Sequence, residues 1–347
     1  MVKYHSEGAH VAVVGATGAV GREMLHCLDA LHFPIRKIDL LASERSEGTV
    51  LDTPWGQKTV QNAEKFDFTG VDIALFSAGK AVSEKLADRV IRAGALMIDN
   101  TSAFRRDPKW PLVVPEVNGH HIALKPGIIA NPNCSTIQMV LALKALEDEV
   151  GIDDVRVVTY QSCSGAGQKG IQALLDETRE TLAGNRPATS KVHARTIAFD
   201  VVPQIGALLE SGNTEEEEKM MFETQKILDR WDLKVCATCV RVPVMRSHSE
   251  VVSLVTKKPI SVNQAQQRLN QMPGLRVTDI DDPNAYPTAT QAEGAFETRV
   301  GRVRVDPVSP NGLIFWIVSD NLLKGAALNA VQIACAAWNQ EGTDNEK

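Results

Sequence analysis

The chain has 347 residues, 44% of them hydrophobic and 23% charged, with a net charge of −6 at neutral pH. This is an ordinary composition for a folded protein and leaves little room for disorder away from the ends. With no basic patch, a nucleic-acid backbone or an anionic membrane is disfavoured as a partner, and a small-molecule substrate is expected. Two domains are expected, since single cores seldom grow past roughly 250 to 300 residues.

In chain order, the first third alternates strand and helix: AHVAVVG, a helix through REMLHCLDALH, then KIDLLAS, VDIALFS, a helix through SEKLADRVIRAG, ALMIDN and GIIAN. Such alternation predicts an α/β unit with a parallel sheet covered on both faces, a doubly wound (Rossmann-type) dinucleotide-binding domain. The helix TIQMVLALKALEDE opens a region of different rhythm: DVRVVTYQS, a helix from about Lys169 to Leu182, a long polar connection through NRPATSKVHART, and the helix TEEEEKMMFETQKILD. The extended runs VCATCVRVPV, EVVSLVTK, RVGRVRV and LIFWIVS follow, which predicts an α+β domain with a mixed sheet. The terminal segment KGAALNAVQIACAAW has helical spacing and is expected to return to the first domain. The predicted boundaries are 1–133 with 320–347 for the dinucleotide domain and 134–319 for the second domain.

The segment MVKYHSEGAH lacks the apolar centre of a signal peptide, and no run approaches the roughly 18 apolar residues of a membrane span, so a cytoplasmic protein is expected. Its six cysteines, Cys27, Cys134, Cys163, Cys236, Cys239 and Cys335, are too scattered for a disulfide framework. Cys236 and Cys239 form C-x-x-C within a strand-like run, where positions i and i+3 face opposite sides; with no second pair, no metal site is expected.

The first strand ends in GATGAVGRE, which places Gly15, Gly18 and Gly21 in a strand-to-helix turn. Glycines there permit a tight turn, bring backbone N–H groups to a pyrophosphate and let the helix pack closely on the strand. The second strand ends in Ser43, Glu44, Arg45 and Ser46. Two hydroxyls and a guanidinium suit a 2′-phosphate, which argues for NADP(H), although Glu44 complicates that reading; the alternative is a polar surface turn.

Between the strand GIIA and the next helix stands NPNCST, with Cys134 at the turn. The positive end of a helix and its free N–H groups favour thiolate over thiol, so this cysteine is the candidate nucleophile; the competing reading is a small buried hydrophobe. YQSCSGAGQKG carries Gln161, a candidate hydrogen-bond donor to substrate, and Ser164-Gly165-Ala166-Gly167, where a flat cofactor ring can approach the backbone. RVPVMRSHSE carries Arg241, a planar fork for a carboxylate, and His248, a candidate acid and base. In TEEEEKMMFE, Glu216 and Lys219 share one helix side, although a solvated face is the simpler reading. DNTSAFRRDP offers Arg105 or Arg106 as an anion holder.

Taken as a set, GATGAVG, NTSAFR, VVPEVN, NPNCST, QSCSGAG and RVPVMRSHSE resemble the aspartate-semialdehyde dehydrogenases, over nearly the whole chain. The resemblance implies reduction of L-aspartyl-4-phosphate by NADPH to L-aspartate-4-semialdehyde with release of phosphate, on the route to lysine, methionine, threonine and isoleucine. It implies Cys134 as nucleophile, His248 as acid and base, and Gln161 as the residue that positions substrate. Arg241 and Glu216 would read the α-carboxylate and ammonium, and Arg105, Asn133 and Lys219 would hold phosphate. Cofactor contacts would come from Gly15, Thr17, Gly18, Ala19, Val20, Ser43, Arg45, Ser46, Ser77, Ala78, Gly79, Ser164, Gly165, Asn321 and Gln332. Lys80 stands where the family's FSAG-type turn has a second glycine. A homodimer through the second domain is implied. The alternatives are an N-acetyl-glutamyl-phosphate reductase type, with the same chemistry on a longer acylated substrate, and a non-catalytic NADP-binding regulator.

Overall fold

The computed structural model describes residues 7–278 and 284–344 together with His5 and Asp282. The chain divides into two compact units, Met1–Pro132 with Ala326–Lys347, and Asn133–Gly325. Among the described residues no helix is long and apolar enough to cross a membrane.

The first unit holds strands β1 (Ala9–Val14), β2 (Ile35–Ala42), β3 (Val50–Thr53), β4 (Gly56–Thr59), β5 (Gln61–Asn62), β6 (Ile73–Phe76), β7 (Leu96–Asp99) and β8 (Gly127–Ala130). Its helices are α1 (Ala19–Ala30), α2 (Lys80–Arg92), α3 (Pro115–Asn118) and the terminal α9 (Leu328–Asp344). The main sheet runs β5-β2-β1-β6-β7-β8 with every pairing parallel. β1, β6, β7 and β8 are buried along their whole length, as a sheet covered on both faces requires. The chain leaves β1 toward β2 on one side and later lays β6 on the other, so a topological switch point lies at the carboxyl end of β1. Helix α1 begins at Ala19, inside the glycine motif, rather than at the polar Arg22, because Gly18 is its N-cap. The hairpin β3–β4, short and polar, was not anticipated.

The second unit holds α4 (Cys134–Val150), β9 (Ile152–Gln161), α5 (Gln168–Leu182), α6 (Glu215–Leu228), β10 (Lys234–Arg241), β11 (His248–Thr256), α7 (Val262–Gln271), β12 (Leu275–Val277), α8 (Ala289–Ala292), β13 (Thr298–Val305) and β14 (Gly312–Ser319). Its mixed sheet has the order β10-β9-β11-β14-β13-β12, parallel between β10 and β9 and between β12 and β13, antiparallel elsewhere. Helix α4 is apolar nearly all round and is buried almost throughout its first three turns.

Register gathers chemistry at one end of this sheet. Arg241 pairs with Gln161 at the carboxyl ends of β10 and β9, and the antiparallel β11 begins there with His248 opposite Ser319. The chain returns to the first unit at Ala326, six residues later than 320, because Asp320 and Asn321 are anchored in the second: Asp320 takes the Arg246 guanidinium at 2.7 and 2.9 Å, and Asn321 Oδ1 accepts the Ser247 N–H at 2.9 Å.

Candidate active site

At the switch point of the first unit, Gly15 follows β1 with φ 94°, and a Cβ there would lie 2.6 Å from the Ser77 carbonyl oxygen. The turn after β1 therefore packs directly on Ser77 and Ala78, the turn after β6, and only glycine permits it. A Cβ on Gly21 would reach within 2.1 Å of the Gly15 oxygen, so α1 approaches the strand end as closely as backbone allows. Gly18 caps α1 without a side-chain hydrogen bond, which leaves first-turn N–H groups, Ala19 and Val20 among them, directed outward at the positive helix end. Thr17, Ala19 and Val20 are half-buried, and Gly79 caps α2, whose first residue is Lys80 beside Glu84 at 3.7 Å. These features fit a dinucleotide pyrophosphate.

Ser43, Arg45 and Ser46 form a single 3₁₀ turn after β2; Ser43 and Arg45 are exposed and Ser46 half-buried. The Glu44 carboxylate leans toward Lys65 at 3.5 Å. Gln332, on α9, donates to Glu116 at 3.2 Å. The buried Arg105 donates to the Asn131 and Asn100 carbonyls at 2.9 and 3.0 Å, whereas Arg106 is exposed. Of the two arginines, the fold fixes Arg105.

In the second unit Cys134 is the first residue of α4 and is half-buried. Asn133 is the N-cap, and its Oδ1 accepts from the N–H groups of Ser135 and Thr136 at 2.9 and 3.4 Å. Those two donors are thus occupied, and Cys134 stands at the positive helix end. Four other cysteines are set apart by environment. Burial pushes the thiols of Cys163 and Cys335 up to about 11 and that of Cys239 further still, and Cys236 is exposed on the far side of β10 from Cys239.

Asn133 also opens a polar chain. Its Nδ2 donates to Glu216 Oε1 at 2.7 Å, and Gln161 Nε2 lies 3.4 Å from the same oxygen. Lys219 Nζ stands 3.4 Å from Glu216 Oε2. The acidic run is therefore only partly a solvated face: Glu216 and Glu217 are both buried, Glu217 closing a capping box with Thr214 and accepting the Cys239 N–H at 2.9 Å.

Gln161, Arg241 and His248 are buried. Arg241 donates through Nη1 to the Ser162 carbonyl at 2.6 Å. A Cβ on Gly165 would sit 2.8 Å from Arg241 Nη1 and 3.3 Å from His248 Nε2, so these two nitrogens lie together under the Gly165 backbone. His248 Nδ1 accepts the Ser162 N–H at 3.0 Å, and Nε2 has no partner. Burial, and then the Arg241 charge, hold this imidazole well below its ordinary pKa. It is neutral at neutral pH, and its Nε2 is enclosed.

Ser164 is buried and donates to Asn321 Oδ1 at 2.9 Å. Three further residues carried no sequence signal. Glu223 accepts the Asn133 N–H at 2.6 Å from 90 positions along the chain. Ser162 contacts His248. Glu250, wholly enclosed two positions along β11 from His248, faces Ser135 and Gln138 and has its carboxyl pushed well above the usual range by burial.

A switch-point cradle for a dinucleotide in the first unit is the mark of a dinucleotide-dependent oxidoreductase. Residues 10–125 match the semialdehyde dehydrogenase NAD binding domain, and residues 143–324 the semialdehyde dehydrogenase dimerisation domain. Aspartate-semialdehyde dehydrogenase of Aquifex aeolicus is 48% identical over 94% of this chain and 97% of its own. The crystal structure of aspartate semialdehyde dehydrogenase II from Vibrio cholerae complexed with ASA superimposes with a TM-score of 0.92 at 47% identity, covering 95% of this chain and 98% of that one. The Candida albicans enzyme, solved with NADP, gives 0.74 at 26% identity, covering 96% and 99%. The chain belongs to the aspartate-semialdehyde dehydrogenase family, oxidoreductases that act on an aldehyde group.

Proposed function

We propose that the chain catalyses the NADPH-dependent reduction of L-aspartyl-4-phosphate to L-aspartate-4-semialdehyde, with release of phosphate, through a thioacyl group on Cys134. The observation that carries this reading is the single constellation of Cys134 at a helix N-terminus with Asn133, Gln161, Glu216, Lys219, Arg241 and His248 in one unit. His248 serves as the acid and base for the thiol. The sulfur attacks the acyl carbon, the bond to the phosphate oxygen breaks, and phosphate leaves; Gln161 orients the acyl group. Glu216 reads the ammonium and Arg241 the α-carboxylate, while Asn133, Lys219 and Arg105 hold phosphate. When bound at Gly15, Thr17, Gly18, Ala19, Val20, Ser77, Ala78 and Gly79, the reduced dinucleotide supplies hydride.

NADP is favoured over NAD by Ser43, Arg45 and Ser46 at the end of β2, with Glu44 drawn toward Lys65. The match to a dimerisation domain supports a homodimer, and the cytoplasm is the compartment we assign. The ammonium role proposed for Glu216 speaks against the N-acetylated substrate, as do the relatives' names.

The test follows NADPH absorbance from L-aspartate-4-semialdehyde, NADP and phosphate, beside Cys134→Ser and a phosphate-free control. A phosphate-dependent signal that falls on the order of a thousandfold or more in the variant supports the reading. A folded wild type without signal, or one that turns over the N-acetylated compound equally well, overturns it.

A further inference from the structure

Two helices of the second unit begin with a capping box written in their own sequence. Thr214 and Glu217 close it on α6, and Ser261 and Gln264 on α7; in each the long third residue reaches back to the N-cap N–H. Helix α4, which begins at Cys134, departs from that pattern. Its N-cap Asn133 takes the Ser135 and Thr136 N–H groups on Oδ1, but the third residue is Thr136, too short to return to the N-cap, and its hydroxyl has no partner. The Asn133 N–H lies in a buried residue all the same and needs an acceptor. Glu223 of α6 supplies it: Oε2 accepts this N–H at 2.6 Å, and Glu223 is 1% exposed. The box on α4 is thus closed from another helix.

That helix also carries Glu216 and Lys219. Glu216 precedes Glu223 by seven residues, nearly two turns, and so shares its face; its Oε1 accepts from Asn133 Nδ2 at 2.7 Å. Helix α6 therefore holds Asn133 twice, by the side chain through Glu216 and by the main chain through Glu223. Only the second bond acts on the backbone directly ahead of Cys134. We propose that Glu223 is a positioning residue, which closes the N-cap of α4 from α6 and thereby fixes Cys134 against the helix that bears Glu216 and Lys219. This rests on the roles given above to those three residues. A sulfur displaced by about an ångström from the acyl carbon forfeits as much as about a hundredfold in rate. What Glu223 contributes is reach and an acceptor oxygen. Its charge is not the working feature, since a carboxylate near a sulfur opposes the thiolate.

Two variants separate reach from charge. Glu223→Asp keeps the charge and draws the acceptor back by one methylene, whereas Glu223→Gln keeps the length and an acceptor oxygen without the charge. Glu223→Asp is expected to lower kcat about ten- to hundredfold with KM for the semialdehyde within about threefold, and Glu223→Gln to stay within about threefold of wild type in both. Amide exchange in the peptide that holds Asn133, read by mass spectrometry without substrate, should quicken in the Asp variant and match wild type in the Gln variant. Dinucleotide affinity, which belongs to the first unit, should be unchanged in both. An Asp variant with wild-type kcat, a Gln variant as slow as the Asp one, or a loss carried by KM instead of kcat would each overturn the proposal. If Glu223→Asp does not fold, Glu223→Gln decides alone: wild-type kcat and exchange support the anchor, and a loss of about tenfold or more in kcat overturns it. A wild type without aspartate-semialdehyde turnover would overturn the proposed reaction, while the exchange pattern would still decide whether Glu223 anchors Asn133.

Discussion

Gly325 offers a test of how tightly Cys134, the proposed nucleophile, is placed. It lies in the π-helical turn Leu323–Ala327, and a Cβ there would stand 3.0 Å from Cys134 Cβ, 3.3 Å from its Cα and 3.4 Å from its carbonyl oxygen. Ordinary carbon contacts are about 3.5–4.0 Å, so Gly325→Ala forces one backbone to move by roughly half an ångström to an ångström. Neither moves easily. The start of α4 is tied by the Asn133 cap and by Glu223, and the turn by the Gly325 N–H on the Asp320 carbonyl at 3.1 Å. Overpacking of this kind costs about 1–3 kcal/mol, and a nucleophile displaced by up to about an ångström loses as much as about a hundredfold in rate. We expect Gly325→Ala to lower the melting temperature by several degrees, to cut kcat about ten- to hundredfold and to change the rate at which iodoacetamide alkylates Cys134, with dinucleotide affinity preserved. A variant with kcat and alkylation rate both within twofold of wild type would show that the contact does not hold the sulfur.

Glu216→Gln removes the charge that Asn133, Gln161 and Lys219 share; losing one charge-assisted contact of about 1.5–3 kcal/mol should lower kcat/KM about ten- to hundredfold, mainly through KM for the amino-acid substrate, and an unchanged KM would remove Glu216 from substrate recognition. In the first unit, burial would raise the Asp39 carboxyl, but the side chains of His10 at 2.6 Å and Lys37 at 3.0 Å outweigh it and bring its pKa to about 2 from 3.8. A lowered carboxylate stabilises the fold above its unfolded pKa and loses that contribution as pH falls through its folded one, so about 2 kcal/mol is present at pH 5 and fades between pH 4 and 2. Urea midpoints of Asp39→Asn and wild type should therefore differ at pH 5 and converge toward pH 2; a gap constant with pH would refute the assignment.

The alternation of strand and helix in the first unit, the turn at Cys134 and the helix through the acidic run were legible because each is written in local periodicity and turn chemistry. The two asparagines of NPNCST show where such reading stops. Asn133 could be recognised as a cap, but its bonds to Glu216 and Glu223 span 83 and 90 positions. Asn131 holds Asn100, Ala326 and Asn329 within the first unit, and nothing around it in the sequence names them. Arg105 and Arg106 were equivalent until the backbone carbonyls of Asn100 and Asn131 selected one. Helix α7 went unread despite its Ser261–Gln264 capping box, because its apolar positions are few and weak. The boundary set at 320 was early because the anchor of Asp320 on Arg246 spans 74 positions.

Three carboxylates close to the start of α4 pose a last electrostatic problem, since negative charge near a sulfur opposes a thiolate. Each is met differently. Glu223 accepts the Asn133 N–H, at the positive helix end where a carboxylate is favourable. Glu216 is shared among Asn133, Gln161 and Lys219, so its charge is largely matched within the protein. Glu250 is wholly enclosed beside Ser135 and Gln138, and burial raises its carboxyl well above the usual range, which opposes its carrying a charge. Two of the three are thus compensated by partners, and the third is disfavoured as an anion by its burial. The charge opposing the helix terminus is thereby reduced at each of the three, which is a condition the proposed attack requires.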